Sequence, residues 1–390
     1  MSLTELLPQL KTLCGEQPEG STMAWKALYS SRKQPLLVPS DVPKARRAIA
    51  FFIRNPVLRY WGNLMLTLDI WLPRLQLLPK VRIEHFPHKT IFGNSTPSHI
   101  ALFCGSPGPL QKVIIYSPDS NGIQDKVAKV ALQKSADEAI AGEAYWLHKL
   151  NGTPLIAKFL PRLLMRGKLN SERQYFSMQS LPQGISPKLF GKPHYEFLRI
   201  LAQQNPGVSS WNQSQAYTRL YHRTQSMLPL VNDSLRKLWL DALTEIERMI
   251  GQTMLPTCII HGDFAPWNMR QIDSELRVFD WEFAENIGNP LQDFLHFHMI
   301  PLALQRWPLR PKTITMLLGK ATIYADRQFG RESGVAAASG AMLIHYLLDT
   351  MTFYVSASGH MDYTHPVLRT YTKLLKQRNQ WLTTLIADSP

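Results

Sequence analysis

Residues 261–290 read HGDFAPWNMRQIDSELRVFDWEFAENIGNP, and this stretch combines polar groups with strand-forming segments in an unusual order. An apolar run, CIIHG, leads into Gly262 and Asp263, and Asn268 follows five residues after the aspartate. NMRQI and LRVFDW have the composition of two short strands, and DSE between them is typical of a turn. The second strand ends at Asp280. The pattern therefore predicts a hairpin that brings three polar side chains close together.

The order of these groups meets the requirements of phosphoryl transfer. That reaction needs a carboxylate that orients or deprotonates the attacking hydroxyl, and oxygen ligands that hold Mg²⁺ against the phosphates. The spacing from Asp263 to Asn268 is that of a kinase catalytic loop, and Asp280 stands where a second metal-binding aspartate should follow. An isolated match of this kind is more often a buried strand end with a capping aspartate. The ordered set, together with a partner upstream, favours the catalytic interpretation.

The upstream partner is the apolar run KVAKVAL, residues 126–132, which predicts a strand. Lys129 within it is costly to bury unless it is paired. The next segment, EAIAGEAYWLHKL, has the apolar spacing of a helix. Glu143 lies among its apolar positions, so we expect it to pair with Lys129, and Glu138 is the competing carboxylate. The alternative is a strand-edge lysine that points to water.

A Gly/Pro-rich turn, CGSPGPLQK at residues 104–112, joins two further strand-like runs, SHIALFCG and KVIIYSP. It occupies the place of a phosphate-covering turn, but it is not G-x-G-x-x-G, and Pro107 and Pro109 remove two backbone donors. An ordinary hairpin turn is an equally good interpretation. If the turn binds phosphate through its backbone, the candidate residues are Gly105, Ser106 and Gly108.

Together these motifs resemble those of the aminoglycoside phosphotransferase and choline kinase family, which has the protein-kinase-like fold. HGDFAPWN is similar to the family's HGDxxxxN signature, and FDWE is similar to its apolar-Asp-Trp-Glu signature. The resemblance implies that Asp263 is the catalytic base and that Asn268 and Asp280 bind Mg²⁺. It also implies that Lys129 and Glu143 form the ATP-binding pair.

The resemblance extends over about residues 90–300 and implies two further assignments. Gln179 to Leu181 would form the hinge that meets adenine. Asp293, in NPLQDFLHF, is similar to the later acidic residue that braces the catalytic loop. Two histidines in the same run, His296 and His298, have the i, i+2 spacing that places them on different faces of a helix. We expect them to pack or to support the site from behind.

The expected fold is α+β and bilobal, with a small β-rich N-terminal lobe at 86–184 and a mainly helical C-terminal lobe at 185–390 whose catalytic loop spans 261–282. Residues 1–85 lie outside the family's pattern, and their prolines predict several short helices. Residues 1–90 carry 13 Lys/Arg and 6 Asp/Glu, which is half of the net charge of +14. The sequence therefore predicts a helical, basic and aromatic N-terminal extension.

Two interpretations of this extension remain open. Residues 44–80 could form an interfacial helix on an anionic membrane, or their aromatic side chains could pack on the lobes while the arginines stay solvated. Aromatic stripes are more often core, which favours packing. The aromatic residues concerned are Phe51, Phe52, Trp61 and Trp71, and the arginines are Arg46, Arg47, Arg54, Arg59 and Arg74.

The composition is that of a globular chain of 390 residues, with 45% hydrophobic and 18% charged residues, which suffices for two or three packed units. Cys14, Cys104 and Cys258 match neither a zinc spacing nor a disulfide framework, and no apolar run reaches about eighteen residues. The start lacks the features of a secretory signal, so we expect a cytoplasmic protein, with peripheral membrane contact as the open alternative. No nucleic-acid-binding motif and no P-loop pattern occurs, so neither class is expected.

The sequence thus predicts a kinase that transfers the γ-phosphoryl group of ATP, with Mg²⁺, to an alcohol. Family members that modify aminoglycosides need acidic pockets, whereas residues 181–260 hold 8 Lys/Arg and 5 Asp/Glu, and residues 321–390 hold 6 and 5. A neutral or anionic acceptor, such as a small molecule, a sugar, a glycoconjugate or a lipid-linked intermediate, is therefore expected. The alternative is a catalytically silent kinase-fold protein that binds a nucleotide or a membrane.

Overall fold

A computed structural model describes residues 3–14, 21–29, 34–53, 55–72, 74–93, 100–105, 108–119, 125–169, 172–182 and 184–387. The chain divides into two compact units, Met1–Gln183 and Gly184–Pro390. The division lies next to the predicted start of the C-terminal lobe at residue 185. The two units are taken in turn below.

The first unit is built on a sheet that has eight antiparallel strands in the described residues. In chain order these strands are β1 (Ser21–Tyr29), β2 (Pro35–Pro39), β3 (Lys80–Phe86), β4 (Ala101–Cys104), β5 (Lys112–Ser117), β6 (Lys126–Ala131), β7 (Leu163–Leu169) and β8 (Arg173–Gln179). Their spatial order is β3-β1-β2-β4-β5-β6-β8-β7. The central strands β4 to β6 are largely buried, as their apolar runs predict.

Six helices of the described residues accompany this sheet. They are α1 (Leu3–Cys14), α2 (Val42–Phe52), α3 (Pro56–Trp71), α4 (His88–Phe92), α5 (Asp137–Asn151) and α6 (Pro154–Ala157). Asp41 caps α2, since its carboxylate accepts a hydrogen bond from the Lys44 amide, and Asn55 caps α3 in the same way. Pro43 and Pro56, two of the prolines that predicted short helices, stand in the first turns of α2 and α3, where a missing N–H costs nothing.

The prediction of a separate helical extension over residues 1–85 is wrong in part. Helices α1 to α3 are present, but β1, β2 and β3 belong to the same sheet as the strands of the predicted N-terminal lobe. Strand β2 pairs with β4 through Leu36 opposite Phe103 and Leu37 opposite Leu102. All five residues of β2 are buried, so the strand lacks the alternation of polar and apolar residues that would have revealed it.

The aromatic residues of the extension divide between the two interpretations. Phe51 stacks on Tyr116 with ring centroids 4.3 Å apart, and Phe52 stacks on Phe103 at 5.3 Å, so both pack on the sheet. Trp61 and Trp71 on α3 are instead 55% and 80% exposed. Across the described residues, no helix is both long and apolar enough to cross a membrane.

The second unit is mainly helical. Its helices are α7 (Lys192–Ala202), α8 (Gln215–Met227), α9 (Asp233–Ile250), α10 (Gln292–Leu304), α11 (Pro311–Phe329), α12 (Ser339–Ser358), α13 (Pro366–Lys376) and α14 (Arg378–Ala387). Its strands are β9 (Gly207–Ser210), β10 (Met254–Ile260), β11 (Met269–Ile272), β12 (Glu275–Val278) and β13 (Glu285–Gly288). Strand β10 pairs with β9 and β13, and β11 and β12 form the predicted hairpin. Helix α12, which is buried over most of its length, lies at the centre of this unit.

Candidate active site

The chain turns sharply where β10 ends, at the run His261-Gly262-Asp263. Gly262 has φ +81°, in the left-handed region that favours glycine. A Cβ at this position would lie 2.1 Å from the carbonyl oxygen of Phe283. Glycine is therefore required here for two independent reasons, and the turn that it permits carries Asp263 out of the strand.

Asp293, in the first turn of α10, fixes the backbone of the run His261-Gly262-Asp263. Its two carboxylate oxygens accept hydrogen bonds from the backbone N–H groups of His261, at 2.7 Å, and Gly262, at 3.0 Å. Burial raises the pKa of Asp293 to about 6, while the two hydrogen bonds act in the opposite direction. The bracing contact implied by the family resemblance is thus present.

His261 ties the turn to the end of β12. Its Nε2 lies 3.1 Å from the carbonyl oxygen of Phe279, and its Nδ1 lies 3.3 Å from the amide nitrogen of Asp263. A carbonyl can only accept, so Nε2 carries the proton and Nδ1 accepts from the amide. Burial lowers the pKa of His261 to about 4, so the ring is neutral at pH 7. It acts as a structural link with both nitrogens engaged.

The carboxylate of Asp263 is held from two sides. One oxygen accepts a hydrogen bond of 2.7 Å from the Asn268 side-chain amide, and the other lies 2.8 Å from Nε2 of His296. The Asp263 side chain is 26% exposed, whereas that of His296 is only 8% exposed. The carboxylate therefore faces solvent while its orientation is fixed from the protein side.

A line of buried hydroxyl groups continues behind His296. The Tyr346 hydroxyl lies 3.4 Å from His296 Nδ1 and 2.8 Å from the Tyr371 hydroxyl. If Nε2 donates to Asp263, Nδ1 is the acceptor for the Tyr346 O–H, and each group in the line is satisfied. Both nitrogens of the imidazole thus have a polar neighbour, which fixes the position of the ring beside the Asp263 carboxylate.

The hairpin brings Asn268 and Asp280 to its open end. Met269 pairs with Val278, and the amide of Phe279 donates a 3.0 Å hydrogen bond to the carbonyl oxygen of Asn268. Asp280 follows directly, with φ +72°, a conformation that aspartate tolerates better than most residues. The predicted juxtaposition of the hairpin ends is therefore confirmed.

The donor set at this end of the hairpin suits a hard divalent cation. The Asn268 amide nitrogen donates to Asp263, so its carbonyl oxygen is the atom that a cation would take. Carboxylate oxygens of Asp280 and Glu282 lie within 4.8 Å of one another. Carboxamide and carboxylate oxygens are what Mg²⁺ prefers, so Asn268 and Asp280 fit the predicted ligands and Glu282 adds a third candidate.

In the first unit, Lys129 and Glu143 form the expected pair. The Lys129 ammonium lies 2.6 Å and 2.8 Å from the two carboxylate oxygens of Glu143. Lys129 is 5% exposed and Glu143 is fully buried, whereas the competing Glu138 is exposed. A buried pair with two short contacts presents the ammonium in one fixed position. The alternative of a solvated strand-edge lysine is therefore wrong.

The remaining predicted nucleotide contacts lie at the ends of strands. Gly105, directly after β4, donates its amide to the carbonyl oxygen of Lys112. Gly108 lies in the turn with φ +153°, and a Cβ at this position would meet no atom within 4 Å. Ser106 lies outside the described residues. Gln179 ends β8 with an exposed side chain, and Leu181 follows it half-buried.

The central part of the chain is similar to a known protein family. A profile described as the phosphotransferase enzyme family matches residues 121–311, just under half of the chain. Over this segment the chain is similar to that family. The β-rich first unit and the mainly helical second unit agree with the α+β, protein-kinase-like fold that the sequence predicted.

Three solved aminoglycoside phosphotransferase structures are similar to this chain. A thermostable mutant of APH(4)-Ia has 14% identity, with 73% of this chain and 94% of that chain covered and a TM-score of 0.47. The GDP complex of wild-type aminoglycoside 2'-phosphotransferase-IIIa has 15% identity, with 75% and 95% covered and a TM-score of 0.48. The GDP and kanamycin complex of APH(2")-IIIa has 14% identity, with 75% and 96% covered and a TM-score of 0.45. No curated protein matches the chain by sequence.

The structure adds two residues to the candidate site that the sequence predicted. His296 was expected only to pack or to support the site from behind, and it contacts the Asp263 carboxylate directly. Its position three residues after Asp293, one helical turn along α10, was the available signal, since i and i+3 share a helix face. Glu282 was visible in FDWE but carried no separate assignment. His298 packs against Phe190 and Phe294, as its spacing predicted.

Proposed function

We propose that this protein is an ATP-dependent phosphotransferase that moves the γ-phosphoryl group to a hydroxyl of a small molecule or a glycoconjugate. One observation carries the proposal. The partly exposed carboxylate of Asp263 is held by Asn268 on one oxygen and by His296 on the other. A carboxylate fixed in this way is oriented as a base for an incoming hydroxyl, because its hydrogen bonds need not be rebuilt during the reaction.

In this reaction Asp263 accepts the proton of the acceptor hydroxyl. The electron pair of that oxygen forms the new bond to the γ-phosphorus, and the bond from the γ-phosphorus to the β,γ-bridging oxygen breaks, with its electrons leaving on ADP. Asn268 and His296 hold the base in place throughout. Asn268 and Asp280, with Glu282 as a further candidate, would hold Mg²⁺, which when bound neutralises charge on the phosphates.

Nucleotide binding is assigned to the first unit. The Lys129 ammonium, positioned by both oxygens of Glu143, would contact the phosphates of ATP. Backbone N–H groups of the turn after β4 would cover the phosphates, with Gly105, Ser106 and Gly108 as the candidates. The segment from Gln179 to Leu181, at the end of β8, would meet the adenine base.

The proposed acceptor is neutral or anionic. The surplus of Lys/Arg over Asp/Glu in residues 181–260 and 321–390 opposes a polycationic substrate, because such a substrate needs an acidic pocket. A sugar, a glycoconjugate or a lipid-linked alcohol fits this balance. A screen in which only polyamine-like acceptors are phosphorylated would overturn this part of the proposal.

The first test is thermal stabilisation by ATP with Mg²⁺, because a ligand that binds only the native state raises the melting temperature. We expect a magnesium-dependent rise in the wild type that is largely lost in Asp280→Asn. Asparagine tolerates the positive φ at this position, so the loss would report the charge and not the backbone. The matched control is Asp273→Asn, an exposed residue in the turn of the same hairpin, which should keep the full rise.

Catalysis is tested separately from binding. Asp263→Asn should abolish phosphoryl transfer while the stabilisation by nucleotide persists. Substantial turnover in this variant would refute the role of Asp263. A nucleotide-dependent rise in melting temperature without transfer to any acceptor in the wild type would favour the catalytically silent alternative.

A further inference from the structure

Helix α3 carries an unusual number of exposed apolar side chains. Trp71 is 80% exposed, Tyr60 66%, Val57 61% and Trp61 55%, and Ile70 is 40% exposed. Scattered apolar residues are normal on protein surfaces, but a run of large ones on a single helix marks an interaction site. We call these five residues the α3 patch.

A cavity of about 490 Å³ lies beside the α3 patch, within the first unit. Leu28 of β1, Leu36 of β2 and Phe103 of β4 line it from the sheet, and Leu58 and Trp61 line it from α3. This volume is in the range of small-molecule sites. Trp61 belongs both to the cavity wall and to the α3 patch, so the two are continuous.

The cavity lining offers little to a polar ligand. Among the described residues that line it, Asn55 has the only polar side chain, and its oxygen accepts hydrogen bonds from the amides of Val57 and Leu58 at the start of α3. A peptide in this cavity would leave its backbone N–H and C=O groups without partners, which is costly. A hydrocarbon chain has no hydrogen-bonding groups, so the lining favours it over a peptide.

The charge around the patch is cationic. Residues 42–82 contain eight Lys/Arg and one acidic residue, Asp69. That carboxylate is only 5% exposed and pairs with the Lys26 ammonium at 2.7 Å. Arg74, Lys80 and Arg82 are exposed. Arg47 pairs with Asp125 at 2.7 Å, so the exposed Arg74, Lys80 and Arg82 are the cations that complement an anionic surface.

We propose that the α3 patch docks on an anionic phospholipid bilayer and that the adjoining cavity takes one acyl chain of such a lipid. The apolar side chains insert among the headgroups, the exposed cations contact lipid phosphates, and Trp61 lies at the cavity wall beside the chain. This inference stands on the first unit alone and does not depend on the phosphotransferase proposal.

Vesicle co-sedimentation of the full-length protein tests the docking. We expect binding to vesicles of phosphatidylcholine mixed with phosphatidylglycerol, and weak binding to phosphatidylcholine alone. Arg74→Glu should lower the affinity at least about fivefold, since one basic residue near such a surface contributes about this much. Trp71→Ala should also lower the affinity, because it removes the most exposed apolar side chain of the α3 patch. Both side chains are exposed, so folding should be preserved. The control is Trp307→Ala, a 62% exposed tryptophan of the second unit, which should bind like the wild type.

Lipids with brominated acyl chains test the cavity. Bromine quenches tryptophan fluorescence only at short range, so deeply placed bromines should quench the wild type and should quench Trp61→Phe much less. Quenching that is equal in both proteins would overturn the acyl-chain site. Equal binding to both vesicle types, or an α3 patch buried in a stable dimer without lipid, would overturn the docking. Nucleotide stabilisation measured on the same variants separates these failures from failure of the phosphotransferase assignment.

Discussion

The contact between His296 and Asp263 predicts a specific kinetic defect. Replacing His296 by alanine removes the donor that lies 2.8 Å from one carboxylate oxygen and leaves Asn268 as the remaining side-chain donor to Asp263. A hydrogen bond to a charged group contributes about 1.5 to 3 kcal/mol, and a loss of that size from the transition state lowers kcat about 10- to 150-fold. The KM for ATP should change little, because His296 does not belong to the proposed nucleotide contacts.

The conservative variant His296→Gln makes this prediction sharper. The glutamine amide nitrogen can occupy nearly the position of the imidazole Nε2, so it should restore most of the kcat that alanine loses. Steady-state release of ADP in the presence of an acceptor gives kcat and KM, and the melting temperature reports folding. The matched control is His298→Ala, two residues along the same helix, whose ring packs among aromatic residues and does not reach Asp263. We expect it to affect stability more than kcat.

The reasoning would be refuted by full kcat in His296→Ala. It would also fail if His298→Ala lowered kcat by the same factor, because the defect would then reflect a loosened α10 and not the lost contact. If glutamine and alanine gave equal defects in proteins of equal melting temperature, a role for the Nε2 hydrogen bond would be excluded.

Three further predictions concern residues that stabilise the interior of one unit or the other. Gly262→Ala should lower the free energy of unfolding by about 3 kcal/mol or more in urea titrations, since its methyl group would lie 2.1 Å from a carbonyl oxygen. The control is Gly319→Ala on α11, where the added methyl group meets no atom and should raise the free energy of unfolding by about 1 kcal/mol. Lys129→Met should weaken stabilisation by ATP and also lower the melting temperature of the ligand-free protein, because Glu143 is left buried without its ammonium partner. Burial lowers the pKa of His345 to about 4. Between pH 6.5 and 4 this imidazole is therefore protonated in the unfolded chain and stays largely neutral in the folded chain. The wild type should therefore lose about 3 kcal/mol more stability than His345→Asn over this range, and equal acid-induced losses in urea titrations would contradict the assignment.

The parts of the site that follow one another closely in the chain could be predicted. Asp263, Asn268 and Asp280 are separated by a turn and a short hairpin, so their spacing alone determines that they converge. Lys129 and Glu143 are also close in sequence, and a strand followed by a helix leaves few ways to pair a buried lysine. In both cases the local geometry of the backbone limits which side chains can meet.

The parts that depend on distant segments could not be predicted. The pairing of β2 with β4 joins residues more than sixty positions apart, and β2 has no alternation because both of its faces are covered. Strand β1 contains a buried lysine, Lys26, which argues against a core strand until its partner Asp69 on α3 is known. The spacing of apolar residues predicts which face of a strand is buried. It does not predict which distant carboxylate pairs with a buried lysine.

The same distinction explains why the position of the base depends on α10. The run His261-Gly262-Asp263 determines the turn, yet the turn by itself leaves the carboxylate free to rotate. Asp293 fixes the backbone of the turn, and His296 fixes the side chain, from neighbouring positions on one helix face. A change that shifted α10 would therefore displace the backbone and the carboxylate together. Selection for a fixed base would act on α10 as a unit, although neither residue belongs to the motif that identifies the catalytic loop.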